Sequence, residues 1–391
     1  MTTERSVAQA RSHLPAADDF LLWPPALQVW GYRSVDQLFA SRPVAKAATP
    51  RPIPRGDELA VTYSADGATK TTADFLDRNR IAGLLVMHRG TIRLERYALG
   101  LQPGDRWSTM STVKSITGML VGAAVQDGHL RLDQPASRYV EELAGSAYDE
   151  VTIGHLLTMC SGVRWSEDYA DPSSDVNRYS RSLAQKVPGG VLQIMRGLPR
   201  AHPPGARWLY NTGDTYVLGV ALSRACGKPL ATLLGEKFWQ PCGMEFDAFY
   251  TLEAPGGAEI GGSRAGVALR DFGRFAQFVL DDGVVNGTQI LPQGWVAASA
   301  HPAFLIDEAG YALLPRLRSG RIRGYGYSWW LDEEGAMVAN GFAGQRIYIN
   351  RAEQLVMVTL AAFPQKAYTG PAEHDHYREV TVFTDAVRAL L

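Results

Sequence analysis

The stretch STMSTVKSIT, residues 108–117, places a serine three residues before a lysine at the start of an apolar segment. Positions i and i+3 lie on one face of a helix, so Ser111 and Lys114 would present a hydroxyl and an amine to each other. An amine that is desolvated among apolar neighbours has a lowered pKa and accepts a serine proton more readily. The pattern therefore predicts a nucleophile and its base on one helix, although a serine and a lysine also fall at this spacing by chance.

Hydrophobic periodicity supports a helix at this position and a hairpin before it. Apolar residues from Val113 to Ala123 recur at three- and four-residue spacing, and Gly128 predicts the end of the helix. In residues 84–100, alternating apolar residues flank an Arg-Gly pair, which is typical of two strands joined by a tight turn.

The remaining pattern predicts an α+β fold in three parts. Residues 1–60 are expected to form an N-terminal arm and an extended, proline-containing segment. Residues 132–250 are helix-like and rich in loops, which predicts an inserted all-α domain. Residues 61–131 and 251–391 carry the strand signals, so they predict one antiparallel sheet flanked by helices. The serine helix would then lie beside a cleft between the two domains.

The composition favours a globular protein that acts on small, neutral molecules. The chain has 391 residues, of which 46% are hydrophobic, and its net charge of −1 provides no field that would recruit nucleic acid or an anionic membrane. No stretch has the pattern of a signal peptide or a membrane span, so we expect a cytoplasmic protein. The oligomeric state stays open, and a homodimer is compatible with the sequence.

No residue pattern predicts a metal or an organic cofactor. The cysteines, Cys160, Cys226 and Cys242, lie far apart without histidine partners at the spacing of metal ligands, so we expect them in the core. His374 and His376 form an H-x-H pair, which is more often an exposed helix cap than a zinc site. We therefore expect chemistry by side chains alone.

Two further stretches extend the predicted site. In WLYNTGDTYVLG, residues 208–219, Tyr210 lies in a polar turn before an apolar helix, where a partly ionised phenol beside an ammonium would shuttle protons. In ANGFAGQRIYIN, residues 339–350, two glycines, the first of them Gly341, favour a close approach of a ligand to the backbone. A strand N–H there would pair with that of Ser111 as an oxyanion hole. The alternatives are a core tyrosine and a β-bulge.

In order and spacing, these blocks resemble those of the penicillin-recognising serine hydrolases, which include serine β-lactamases, DD-peptidases and related esterases. Within that family the chain is most similar to the 6-aminohexanoate-dimer (nylon oligomer) hydrolases and their carboxylesterase relatives, from residue 84 to the C-terminal helix. The resemblance implies a β-lactamase/DD-peptidase-like fold in which Ser111, Lys114 and Tyr210 are catalytic. It also implies that the N–H groups of Ser111 and Phe342 bind the oxyanion.

One departure from the family pattern bears on the ligand. β-Lactamases carry a lysine in the triad before the oxyanion strand, whereas the matching residues here are Ala339, Asn340 and Gly341. The missing lysine resembles the nylon hydrolase and esterase branch. It disfavours the binding of a β-lactam or peptidyl carboxylate by a strand ammonium.

The resemblance also implies substrate contacts. Tyr169 matches a substrate-contacting tyrosine of the nylon hydrolases, with an ordinary Asp-Pro loop as an equal alternative. Ser180 lies where active oligomer hydrolases carry an acid that meets the substrate amine, so an ammonium finds no obvious counter-charge. Gly341 is expected to approach the substrate, and one ring of the Trp329-Trp330 pair, assigned to Trp330, is expected to form a wall of the pocket.

These expectations describe a serine hydrolase that cleaves small esters or amides through an acyl-enzyme on Ser111. Short-chain esters rank first, because an alkoxide leaves without protonation more readily than an amine, and amides of small linear amino-acid oligomers rank second. A DD-peptidase or β-lactamase is the alternative within enzymes, disfavoured by the missing strand lysine and the missing export signal. A non-catalytic binding or sensing module of the same fold is the alternative outside enzymes.

Overall fold

The computed structural model describes residues 17–364 and 374–391. Its strands, numbered along the chain, are β1 Ser41–Val44, β2 Thr62–Ala65, β3 Ala68–Thr71, β4 Ile81–His88, β5 Thr91–Tyr97, β6 Trp107–Ser108, β7 Ala248–Thr251, β8 Gly266–Val267, β9 Val284–Val285, β10 Thr288–Gln289, β11 Phe304–Leu305, β12 Ile322–Tyr325, β13 Trp330–Asp332, β14 Met337–Asn340, β15 Arg346–Asn350 and β16 Leu355–Ala361. An eight-stranded antiparallel sheet has the order β11-β12-β13-β14-β15-β16-β4-β5. A four-stranded sheet has the order β1-β7-β8-β6.

The helices are also numbered along the chain. They are α1 Pro25–Arg33, α2 Val35–Leu38, α3 Thr72–Arg78, α4 Val113–Gln126, α5 Ile153–Leu157, α6 Asp175–Ala184, α7 Gly190–Arg196, α8 Thr212–Cys226, α9 Leu230–Leu234, α10 Leu269–Leu280, α11 Trp295–Ser299, α12 Glu308–Leu313, α13 Arg316–Ser319 and α14 His376–Arg388. Gly273 of α10 packs so closely on β4 that an added Cβ would lie 2.5 Å from Leu85. On the other face, Thr384 of α14 contacts the sulfur of Met357, which pairs with Val86 beside Leu85.

The α+β architecture predicted from the sequence is confirmed. Strands β12 to β16 follow one another as an antiparallel meander, and β4 and β5 form the predicted hairpin. Arg89 and Gly90 join that hairpin with φ values of 50° and 73°. A two-residue turn with two positive φ values matches the twist of the strands, which explains the Arg-Gly pair.

The region expected to be helical, residues 132–250, holds α5 to α9. Its longest helix, α8, begins at a cap in which the side chain of Asn211 accepts a hydrogen bond from the N–H of Asp214. α8 ends at Gly227 in the left-handed conformation, as helices commonly do. The assignment of this region as a separate domain stays a prediction.

The N-terminal arm contains regular structure, whereas residues 45–56, which make up most of the predicted extended segment, hold no helix. Residues 1–16 of that arm lie outside the described residues, but residues 17–44 form a 3-10 helix, α1, α2 and β1. Phe20 and Tyr32 are fully buried, and β1 pairs with β7 from Ser41 to Val44. The aromatic residues of this segment bury enough apolar surface to hold it in the core, although its prolines favour extended chain.

Within the described residues, no single helix has the length and hydropathy needed to cross a membrane. One bent pair of helices, Thr212–Cys226 with Leu230–Trp239, passes that test by length and composition alone.

Candidate active site

A strained turn presents Ser111 at the start of α4. Ser111 is the middle residue of a short 3-10 helix, Met110–Thr112, which runs directly into α4. Met110 has a φ of 46°, a left-handed conformation that is costly for a residue with a side chain. Ser111 is partly exposed between buried neighbours, so this turn offers its hydroxyl to the cleft.

Lys114 lies buried one turn after Ser111. Residues Val113 to Ala124 of α4 are all buried, and Lys114 is 2% exposed. Its Nζ lies 2.9 Å from the Oγ of Ser111, as the three-residue spacing predicts. Burial lowers the pKa of Lys114 to about 7, because the charged form is poorly solvated. An amine with that pKa is about half neutral at pH 7, and the neutral form accepts a proton.

The hydrogen bonds around Lys114 direct its lone pair toward Ser111. Lys114 Nζ lies 2.6 Å from the carbonyl oxygen of Gly262 and 3.2 Å from the Oγ1 of Thr212. The Gly262 carbonyl only accepts, and the Thr212 hydroxyl donates its own proton to Glu167. Both N–H bonds of a neutral amine are therefore used on these acceptors, which leaves the lone pair for the Ser111 proton.

Glu167 is a component of the site that the sequence analysis did not single out. It is 2% exposed, and its carboxylate accepts hydrogen bonds from the indole of Trp165, the hydroxyl of Tyr169, and both the N–H and the hydroxyl of Thr212. Its charge raises the pKa of Lys114, against the larger effect of burial. The only local signal was an acid between two aromatic residues, and the contact with Thr212 spans 45 residues of chain.

Tyr210 stands on the other side of Lys114 as a neutral phenol. It precedes the cap of α8, its ring stacks on Trp330 with centroids 5.0 Å apart, and Lys114 Nζ lies 5.2 Å from its ring centroid. Burial and then the charge of Glu167 raise the pKa of Tyr210, while its hydrogen bond with Ser111 acts in the opposite direction. Burial therefore holds Tyr210 in its neutral form, against the expectation of a partly ionised tyrosine.

The turn after β14 lies against the turn of the serine. The N–H of Gly341 donates to the carbonyl of Gln345 at 2.7 Å, so it is already occupied. A Cβ on Gly341 would lie 2.8 Å from the carbonyl oxygen of Thr109 and 3.0 Å from the Cβ of Met110. The glycine thus permits a close approach of the chain to itself. The predicted approach of Gly341 to a substrate gains no support from this geometry.

A cleft of about 30 Å³ opens above Ser111. Its lining joins the N-terminal segment, the serine turn, α6 and the turn after β14, and consists of Leu21, Met110, Ser111, Tyr169, Val176, Tyr179, Thr212, Ser263, Arg264 and Phe342. The ring of Tyr169 packs on that of Phe342 with centroids 5.0 Å apart. The cleft thus places the predicted oxyanion residue Phe342 and the predicted contact Tyr169 beside the nucleophile.

Two predicted substrate contacts lie behind the lining of this cleft. Ser180 is 2% exposed and accepts a hydrogen bond from Arg264 at 2.6 Å. Trp330 is 3% exposed and supports the ring of Tyr210 instead of lining the cleft. Neither side chain is among the residues that line the cleft: Ser180 contacts Arg264 of the lining, and Trp330 packs on Tyr210.

The H-x-H pair lies in a hydrogen-bonded cluster far along the chain. His374 and His376 both contact the Oδ1 of Asn79, and His374 Nε2 lies 2.6 Å from a carboxylate oxygen of Glu379. Within residues 17–364 and 374–391, no group of three or more histidine, cysteine or acidic side chains has the arrangement of a metal site. The geometry of this pair supports a structural role.

The chain is similar to known hydrolases in sequence and to a solved structure in fold. The 6-aminohexanoate-dimer hydrolase of Paenarthrobacter ureafaciens is 28% identical over 376 residues, which cover 92% of this chain and 91% of that protein. Esterase EstB of Burkholderia gladioli is 28% identical over 198 residues, covering 45% of this chain and 49% of that protein. Among solved structures, the "Putative 6-aminohexanoate-dimer hydrolase from Bacillus anthracis" has a TM-score of 0.79 and 23% identity, covering 93% of this chain and 94% of that chain.

The family assignment follows from the extent of a further match. Residues 68–380 match the beta-lactamase family, a span that includes the serine turn, the helical region and the large sheet up to α14. The solved structure shares the same fold over nearly its full length. This chain is therefore a member of the beta-lactamase family, which is a family of hydrolases.

Proposed function

We propose that this protein is a serine hydrolase that cleaves small esters and amides through an acyl-enzyme on Ser111. The observation that carries the proposal is the buried Lys114, whose Nζ lies 2.9 Å from Ser111 Oγ and whose pKa is lowered to about 7. A serine hydroxyl is a weak nucleophile without such a base.

In the first step, neutral Lys114 takes the proton of Ser111 as the oxygen attacks the substrate carbonyl. The lone pair of the amine is free for this proton because its N–H bonds are directed at Gly262 and Thr212. The tetrahedral oxyanion lies between the backbone N–H groups of Ser111 and Phe342, both of which line the cleft. Fixed donors of this kind stabilise developing charge without reorganisation.

Tyr210 then protonates the leaving group. A buried phenol with a raised pKa keeps its proton at neutral pH and is positioned to donate it. Esters place a lower demand on this step than amides do, because an alkoxide leaves more readily than an amine. Water attacks the acyl-enzyme in the second half-reaction, with Lys114 and Tyr210 as the groups that exchange its protons.

The relatives support this substrate range. One is named for a 6-aminohexanoate dimer, which contains an amide, and the other is named an esterase. Ala339, Asn340 and Gly341 stand where β-lactamases carry a lysine-containing triad, so a penicillin-type acyl donor lacks that ammonium.

The test compares p-nitrophenyl acetate, p-nitrophenyl butyrate and the linear dimer of 6-aminohexanoate, for the wild type and for Ser111→Ala. We expect ester turnover in the wild type and its loss in the variant, with both proteins folded to the same extent by circular dichroism. Turnover that survives in Ser111→Ala would contradict the proposal. Rapid labelling of Ser111 by a fluorophosphonate without release of ester acyl groups would favour a non-catalytic module instead.

A further inference from the structure

Arg264 is a buried cation in the wall of the cleft. It lines the cleft together with Ser111, and it is 2% exposed. Its Nη2 donates to the Oγ of Ser180 at 2.6 Å, whereas its Nε and Nη1 have no hydrogen-bond partner although both are buried. Buried polar groups in folded proteins are nearly always paired, so two unpaired donors of one guanidinium require an explanation.

No carboxylate neutralises this guanidinium. Among residues 17–364 and 374–391, no described carboxylate oxygen lies within 4.0 Å of it. The rings of Phe20 and Phe39 lie 5.4 and 5.0 Å from its Cζ and offer only the weaker attraction of a cation for an aromatic face. Burial lowers the pKa of Arg264 to about 10, so the side chain stays charged at neutral pH. A buried, unpaired charge is destabilising unless a ligand completes it.

The backbone at this position is also strained. Arg264 has a φ of 60°, in the left-handed region that a residue with a side chain rarely adopts. Strain of this kind concentrates where a side chain must be held in one direction for a ligand. The strained backbone is an observation independent of the two unpaired donors.

We propose that Arg264 binds a carboxylate on the acyl part of the substrate, so that the preferred substrates are monoesters and monoamides of short dicarboxylic acids. A carboxylate supplies the negative charge and the acceptor oxygen that a buried, unpaired guanidinium N–H lacks. This inference deepens the proposed hydrolase function and rests on it for the reaction. An acid at the position of Ser180 would attract a substrate ammonium, whereas Arg264 attracts a substrate group of the opposite charge.

The position of Arg264 assigns the carboxylate to the acyl group. Arg264 lines the cleft beside Ser111 and Phe342. Tyr210, the proposed donor to the leaving group, is not one of the described residues that line this cleft. The cleft is small, about 30 Å³ in volume, which disfavours a bulky acyl group. A second cation, Arg316, lowers the pKa values of Lys114 and Tyr210, so it too acts on the site as a positive charge.

The test uses three ethyl esters of similar acyl length, which are monoethyl adipate, ethyl hexanoate and ethyl 6-aminohexanoate. We expect kcat/KM of the wild type for the anionic ester to exceed those for the neutral and cationic esters by about 10- to 100-fold, mainly through KM. Arg264→Gln should reduce this preference at least about tenfold, and Arg264→Lys should restore part of it. Arg196→Gln, which removes an exposed arginine, is the matched control and should keep the wild-type ratio. Equal turnover of the anionic and neutral esters by the wild type would overturn the inference.

A second variant keeps the test decisive if Arg264→Gln does not fold. Ser180→Asp places a carboxylate against the guanidinium and should abolish the preference for monoethyl adipate while leaving Arg264 in place. Calorimetric titration of Ser111→Ala with glutarate separates the two proposals, because it needs no turnover. Glutarate binding that Arg264→Gln weakens supports the inference even if no ester is hydrolysed, and ester hydrolysis without glutarate binding supports only the hydrolase.

Discussion

At the scale of single residues, the site depends on how one lysine is kept neutral. Lys114 would be charged in water, and its burial in α4 brings its pKa to about 7. Thr212 connects it to Glu167, whose charge limits how far that pKa falls. The base strength of Lys114 is therefore a balance between desolvation and one buried carboxylate.

The first prediction concerns the pH dependence of acylation. The charged form of Lys114 cannot accept the Ser111 proton, so kcat/KM for p-nitrophenyl acetate should rise with pH through a midpoint near 7, the pKa of the buried amine. Lys114→Met should lower kcat/KM by about 10²- to 10⁴-fold. Lys70→Met, at a position outside the site, is the control. A midpoint near the ordinary lysine value of 10.5 would contradict the prediction.

The second prediction concerns Glu167. Because its charge raises the pKa of Lys114, Glu167→Gln should move the midpoint of the same pH profile below that of the wild type. The glutamine side chain also brings N–H donors to a place where the surrounding groups already donate hydrogen bonds to the carboxylate of Glu167. Donors would then face donors, so the unfolding temperature should fall as well. A midpoint that stays in place, measured on folded protein, would show that Glu167 acts only on structure.

At the scale of elements, the candidate site forms where the turn after β14 meets the turn before α4. Gly341 allows this contact, since its missing Cβ makes room for Thr109 and Met110. Left-handed residues lie in both turns, with φ values of 46° at Met110 and 59° at Ala343. Ser111 directly follows Met110, and Phe342 directly precedes Ala343. Each proposed oxyanion donor is therefore adjacent to a left-handed residue.

The third prediction tests that contact. Gly341→Ala would place a Cβ 2.8 Å from the carbonyl oxygen of Thr109, so one of the two turns must shift. A displacement on the order of 1 Å is expected to lower kcat/KM by about 10²-fold. Gly197→Ala is the matched control, because its nearest atom lies 3.5 Å away. Steady-state kinetics and circular dichroism of both variants check the prediction, and wild-type activity in Gly341→Ala would refute it.

At the scale of the whole molecule, the N-terminal segment completes the core and the cleft. Phe20 packs on Trp23, Tyr32 and Phe39, and the neighbouring Leu21 lines the cleft with Ser111. Residues distant in sequence from α4 therefore form part of the wall of the candidate cleft.

The fourth prediction concerns this packing. Phe20→Ala should reduce the free energy of unfolding by about 3–5 kcal/mol, because Phe20 is fully buried and its removal leaves a cavity. Leu305→Ala, which removes a side chain that is 68% exposed, should change it little. Urea denaturation of the two variants measures the difference. Equal losses of unfolding free energy in the two variants would mean that the N-terminal segment does not contribute to the stability of the core.

The fifth prediction concerns the pH dependence of stability. Burial raises the pKa of Asp214 from 3.8 to about 7, and one of its carboxylate oxygens has no hydrogen-bond partner. Between pH 4 and 7 the folded state therefore binds more protons at this site than the unfolded state, so its contribution to stability is lost as the pH rises. Asp214→Asn should reduce this loss by an amount on the order of 1 kcal/mol. Urea denaturation at pH 5 and pH 7.5 provides the comparison, and an unchanged pH dependence would contradict it.

Local patterns carried the predictions that were confirmed. Periodic apolar residues predicted the antiparallel sheet and α4, and the Arg89-Gly90 pair predicted the hairpin, because these features depend on neighbours within a few residues. The spacing of Ser111 and Lys114 predicted their contact for the same reason. The neutral form of Tyr210 was not predicted, since it depends on burial by distant parts of the chain.

By itself, the sequence determined the α+β architecture and the pairing of Ser111 with Lys114, because helical and strand periodicity express short-range geometry. Only the tertiary structure decided the pKa of Lys114, the place of Glu167 and the unpaired donors of Arg264. Those properties arise from desolvation and from contacts between distant segments, and no local pattern of residues contains them.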